Sequence, residues 1–118
     1  MGLLLGSAHA ATPEETSALE ALRKMEQDGL FEVADRQGAE LLRQFTNSEY
    51  AAEVCLIQAR SRIQLRRFDD AISLLKENTP RAGSRIDEFD FLQTDALMAK
   101  GDWPAAAEAA ARFLSAHT

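Results

Sequence analysis

Three short stretches of the chain repeat one pattern at nearly regular spacing, and this constrains the fold more than any other feature. Gly29-Leu30-Phe31-Glu32-Val33-Ala34 comes first, Arg66-Arg67-Phe68-Asp69-Asp70-Ala71 second, and Gly101-Asp102-Trp103-Pro104-Ala105-Ala106 third. Each reads as a turn residue, an aromatic two positions on, and an alanine three further. The aromatics stand 37 and then 35 residues apart. A fixed period of about 20–50 residues marks stacked units, each burying its apolar face only against its neighbours. That excludes most enzyme folds and points to a binding scaffold.

The 118 residues suit one domain. Ala, Leu, Glu, Gln and Arg, all good helix formers, are abundant. Apolar side chains recur at helical spacing. The expected helices are 16–28 (Ala18, Leu19, Leu22, Met25), 31–45 (Phe31, Ala34, Gly38, Leu41), about 49–66 (Ala52, Cys55, Leu56, Ala59, Ile63), 68–77, about 85–100, and a sixth reaching about Ala116. Thr12, Pro13 and Glu15 read as a capping box with proline at the first helical position. Asn47 or Ser48 is expected to cap the third helix and Ser84 the fifth, with 79–84 the longest loop. Alternation never persists long enough for a strand.

The repeated residue types have physical reasons. Gly29 and Gly101 can take the positive φ that a tight turn between crossing helices requires, whereas Arg66 at the same place is less comfortable. Phe31, Phe68 and Trp103 are expected to fill the wedge between the helices of each pair, burying about 150–250 Å² apiece. Ala34, Ala71 and Ala106 leave room for the opposing backbone, where a larger side chain would overpack at a cost of about 1–3 kcal/mol.

These residues resemble the tetratricopeptide repeat, a helix–turn–helix unit of about 34 residues. The resemblance covers units of about 15–48, 49–83 and 84–118. It implies an all-α, right-handed α-solenoid of three such repeats, six helices in all. There are departures. Ala59 and Thr94 fit the small residue usual on a first helix, but Leu22 does not. Met25, Arg62 and Leu97 stand where an aromatic is usual. The proline expected near a unit's end is Thr46 in unit one and comes early, at Pro80, in unit two. In the family, first helices line a concave groove. Carried onto this chain, the groove positions are Leu19, Arg23 and Glu26, then Glu53, Leu56, Arg60 and Ile63, then Glu88, Phe91, Asp95 and Met98. Such a surface could hold an extended or helical peptide, with arginine forking to its carboxylates. The alternative makes Leu56, Ile63 and Phe91 simply core. The Lys/Asn set by which some members clamp a C-terminal carboxylate is not seen at these positions.

The remaining residues carry little chemistry. His9 and His117 sit at the chain ends, without rigid support for catalysis or ligation. Cys55 is the only cysteine, so an internal disulfide is impossible, and its apolar neighbours suit a small buried hydrophobe. Glu14-Glu15 and Asp69-Asp70 point about 100° apart on a helix and suit helix N-termini. No enzyme, cofactor or metal site is expected. The net charge of -6 argues against nucleic acid, and no apolar run approaches the roughly 20 residues of a membrane span.

Residues 1–12 read as a signal-peptide remnant or disordered tail, with 13–118 the repeat domain. Ala8-x-Ala10 is the small-x-small pattern that precedes cleavage, although only Leu3–Leu5 remain of an apolar region. The expectation is a periplasmic or secreted adaptor for a protein or peptide, resembling repeat domains of bacterial envelope-assembly and cell-division coordinator proteins. The alternative is a structural oligomerisation segment of a longer array, cytoplasmic in that case. The Ala-rich last helix carries Phe113 and Leu114 with few charges, so either the native protein continues past Thr118 or this end self-associates.

Overall fold

The computed structural model describes residues 10–116. The cleavage pattern read at Ala8 and the histidines His9 and His117 lie outside them. Six helices form: α1 Pro13–Gln27, α2 Phe31–Gln44, α3 Ala51–Gln64, α4 Phe68–Glu77, α5 Ile86–Lys100 and α6 Trp103–Ala116. No strand occurs among the described residues.

The helices start and stop for legible reasons. At α1, Thr12 Oγ1 accepts from the Glu15 N–H at 3.1 Å, and the Glu15 carboxylate accepts from the Thr12 N–H at 3.2 Å. This is the expected capping box. Neither Asn47 nor Ser48 caps α3: Ser48 Oγ accepts from the Tyr50 N–H at 3.1 Å, but Tyr50 flanks the helix and makes no side-chain cap bond. Ser84 does not cap α5. The 79–85 segment coils into two short 3₁₀ turns, Thr79–Arg81 and Gly83–Arg85, so Ser84 lies inside a turn and Arg85 precedes the helix.

The three repeated turns share one hydrogen-bond frame. Gly29, Arg66 and Gly101 all have positive φ, at 75°, 63° and 90°. The next residue's N–H reaches back five positions each time: Leu30 to the Met25 carbonyl at 2.9 Å, Arg67 to Arg62 at 2.8 Å, Asp102 to Leu97 at 3.0 Å. The turn residue itself donates to Glu26, Ile63 and Met98 respectively. This paired closure satisfies carbonyls that a helix end leaves open. The same three residues then start the following helix, since Leu30, Arg67 and Asp102 carbonyls accept from Ala34, Ala71 and Ala106. A Cβ at Gly29 or Gly101 would meet nothing, so glycine serves the backbone there and not the packing. Arg66 is a non-glycine residue with the same φ, and its guanidinium lies 5.4 Å from the Phe68 ring centroid.

Each helix packs on its neighbour in sequence, and α1, α3 and α5 also touch one another in a row. The resulting body measures 51 × 33 × 19 Å. Helix α3 sits at its centre. Val54 and Ile57 join Leu19, Leu22, Ala34 and Leu41 in one core cluster. Cys55, Leu56 and Ala59 join Leu75, Ala82, Phe89 and Leu92 in another. A helix packed on both sides must be apolar nearly all round. Gly38 lets α2 approach it closely: a Cβ there would meet Gln58 Cγ at 2.7 Å. Burial pushes the Cys55 thiol above its ordinary pKa, as suits a packing residue.

Ala34, Ala71 and Ala106 are all buried. The aromatics divide. Phe31 and Phe68 are half-buried, but Trp103 is 62% exposed and does not fill a wedge. Phe31 lines one hollow with Ile63 and Gln64 at the end of α3. Trp103 has no such following pair among the described residues.

Candidate functional site

The row of α1, α3 and α5 places four of the expected binding residues, Arg60, Ile63, Phe91 and Asp95, along one side. A cleft of about 430 Å³ crosses it, lined by Glu26 of α1, Phe31 at the start of α2, Arg60, Ile63 and Gln64 of α3, and Phe91, Leu92 and Asp95 of α5. A second hollow, of about 340 Å³, shares Arg60, Phe91 and Leu92 and continues to Asp87, Glu88 and Phe113. The two hollows adjoin at Arg60, Phe91 and Leu92, and this open channel has Phe91 on both sides of the junction. That side chain is 60% exposed, so core packing does not explain it.

The arginines are engaged within the chain. Arg60 Nε and Nη2 donate to the two Glu26 oxygens at 2.6 and 3.0 Å. Arg23 grips Glu53 in the same way, at 2.6 and 2.8 Å. Both pairs join α1 to α3. The Arg23 hydrogen bond holds the Glu53 carboxyl below its usual range, against the opposing effect of partial burial. The Glu26 hydrogen bond raises the Arg60 guanidinium in the same manner. On the other side, Arg62 donates to both Asp35 carboxylate oxygens at 3.0 and 3.1 Å. Arg67 reaches Glu32 at 2.8 Å, and Lys100 reaches Asp69 at 2.7 Å. Glu32 and Asp69 both follow a repeated aromatic, so two successive turns reach back to equivalent carboxylates.

Several expectations change accordingly. Leu19 and Leu56 are 1% and 0% exposed and belong to the core, since their positions on α1 and α3 face neighbouring helices. They line no partner surface. Arg23 and Arg60 are not unengaged forks, because Glu53 and Glu26 already take the Nε–Nη2 edge of each. Ile63, Phe91 and Asp95 do meet Arg60 at the cleft. Met98 is exposed but stands outside it. Leu92, Gln64 and Phe113 are cleft residues that the spacing arguments did not single out. Phe113 becomes visible only once α6 is known to fold back on α5.

Other hollows are less suited to a partner. One of about 430 Å³ lies between the Thr46–Ala52 segment and Pro80–Arg81, and carries no large apolar side chain. Among the described residues, no group of three or more His, Cys, Asp or Glu gathers to hold a metal ion, and no helix is long and apolar enough to cross a membrane. No family model, curated protein or solved structure matches the chain.

Proposed function

We propose that the chain is a three-unit solenoid of tetratricopeptide-like pairs that holds a peptide or protein segment along the face built by α1, α3 and α5. The observation that carries this reading is Phe91, a large aromatic left exposed in the middle of a channel spanning all three first helices. Exposed apolar groups gathered in a cleft with polar rims mark interaction sites. The three identical turn frames support the repeat, and the pairs Arg23–Glu53 and Arg60–Glu26 suit a fixed register between units. The export pattern at Ala8-x-Ala10 favours a bacterial envelope setting. The test is panning of a displayed random-peptide library against the whole protein and against Phe91→Ser. Peptides retained by the protein and lost by the variant support the reading. An absence of Phe91-dependent peptides would overturn it.

A second reading, a structural self-association segment, is favoured by one observation. Trp103 and Leu114 on α6 are each 62% exposed. They are 11 residues apart, which on a helix places both near one face. Sedimentation of the protein and of Trp103→Ser with Leu114→Ser tests it. Concentration-dependent dimers lost in the double variant favour this reading, and monomers throughout contradict it.

A further inference from the structure

We infer that the channel selects a basic segment: an apolar side chain seated on Phe91, flanked by Lys or Arg. The inference rests on the binding role proposed above and adds the chemistry of the partner. The floor is apolar, with Phe91, Leu92 and Phe113 contributing to it. The charged groups around it are unbalanced. Glu26, Asp87, Glu88 and Asp95 line the channel, against one cation, Arg60. Both donors that Arg60 directs at Glu26 are committed, at 2.6 and 3.0 Å. An incoming carboxylate therefore meets three further acidic side chains and a guanidinium already engaged. An incoming Lys or Arg meets Asp95, which is exposed and makes no hydrogen bond or ion pair among the described residues. Glu88 is half-exposed and, among the described residues, pairs with Arg85 at 3.3 Å. The net charge of -6 adds a long-range field of the same sign. Long basic side chains also suit the floor, since their methylene stems can cover Phe91 while their heads reach the acidic rim.

This choice reverses the one suggested by Arg23 and Arg60 in the sequence, where those arginines favoured an acidic partner. The reversal follows from the internal pairing of both.

The test is a fluorescence-anisotropy titration of the whole protein with three synthetic peptides. All share one Leu–Phe core and differ only in flanks of Lys, Gln or Glu. The Lys peptide should bind about tenfold or more tighter than the Gln peptide, and the Glu peptide least. Its affinity should fall several-fold between about 0.05 M and about 0.3 M salt, as the Debye length shortens. Asp95→Lys should weaken the Lys peptide roughly five- to tenfold with helicity unchanged, and Asp95→Asn should do so by less. Equal binding of all three peptides, or indifference to Asp95→Lys, would overturn the inference and leave the scaffold reading intact. Binding by none of them would also overturn it, while the scaffold reading still stands or falls on the Phe91-dependent library peptides.

Discussion

The sharpest residue-scale contrast lies at the three turns, where one backbone conformation is met by Gly29, Arg66 and Gly101. A left-handed residue other than glycine costs about 1–2 kcal/mol. Arg66 recovers part of this by laying its guanidinium over Phe68, an exposed contact worth about 0.5–1 kcal/mol. Arg66→Gly should therefore raise stability by about 0.5 kcal/mol, and Arg66→Ala should lower it by a similar amount. Gly101→Ala should cost about 1 kcal/mol, and cleanly, because a Cβ there has open space. Urea denaturation of the three variants checks the order. Arg66→Gly falling below the unsubstituted protein would show that the stacking outweighs the strain. The turn positions and the discomfort of Arg66 were legible in the sequence because φ > 0 is a local demand. The ion pairs were not, since nothing local says which carboxylate faces Arg23 or Arg60.

At the scale of elements, the repeated alanines at the starts of α2, α4 and α6 are all buried. Ala71 and Ala106 are 0% and 4% exposed, so leucine at either should overpack and destabilise by about 1–3 kcal/mol. Ala107 on α6 is exposed and should accept leucine within about 0.5 kcal/mol. Thermal or urea midpoints for the three variants provide the comparison, and unchanged midpoints for both buried sites would contradict the pairing. Element positions were readable from apolar spacing, and the helix ends fall within a few residues of those expected. Helix α3 was read with one stripe, yet it carries two cores. Val54 and Ile57 lie beside Cys55 and Leu56 in sequence but serve the opposite cluster. A near-continuous apolar run signals burial, but its division between neighbours is set by the packing of α1, α2, α4 and α5. Trp103 shows the same limit: its place in the motif is local, whereas its burial depends on what lies beside it.

At the scale of the whole molecule, α1 and α3 are joined by charge as well as by core. The Glu53 carboxyl has a folded pKa below its ordinary value because Arg23 donates to it. A depressed carboxylate contributes stability that is full above the unfolded pKa of about 4.3 and is lost as pH falls through the folded value. Glu32 is lowered likewise by its hydrogen bond from Arg67. Stability should therefore decline on acidification below about pH 4.3, and Glu53→Gln should decline less steeply there. Parallel acid limbs for the two proteins would remove Glu53 from this linkage. Replacing Arg23 and Arg60 by Glu would set each new carboxylate against Glu53 or Glu26. That change should weaken the fold itself, contrary to the expectation of an open groove rim.

The central claim is that the face made by α1, α3 and α5 is the working surface. Backbone amide chemical shifts, followed while a Phe91-dependent peptide is titrated into the protein, test it most directly. The account predicts perturbations concentrated at Glu26, Arg60, Ile63, Phe91 and Asp95, with α4 silent. Perturbations centred on the outer faces of α2 and α4, with the channel unchanged, would contradict it.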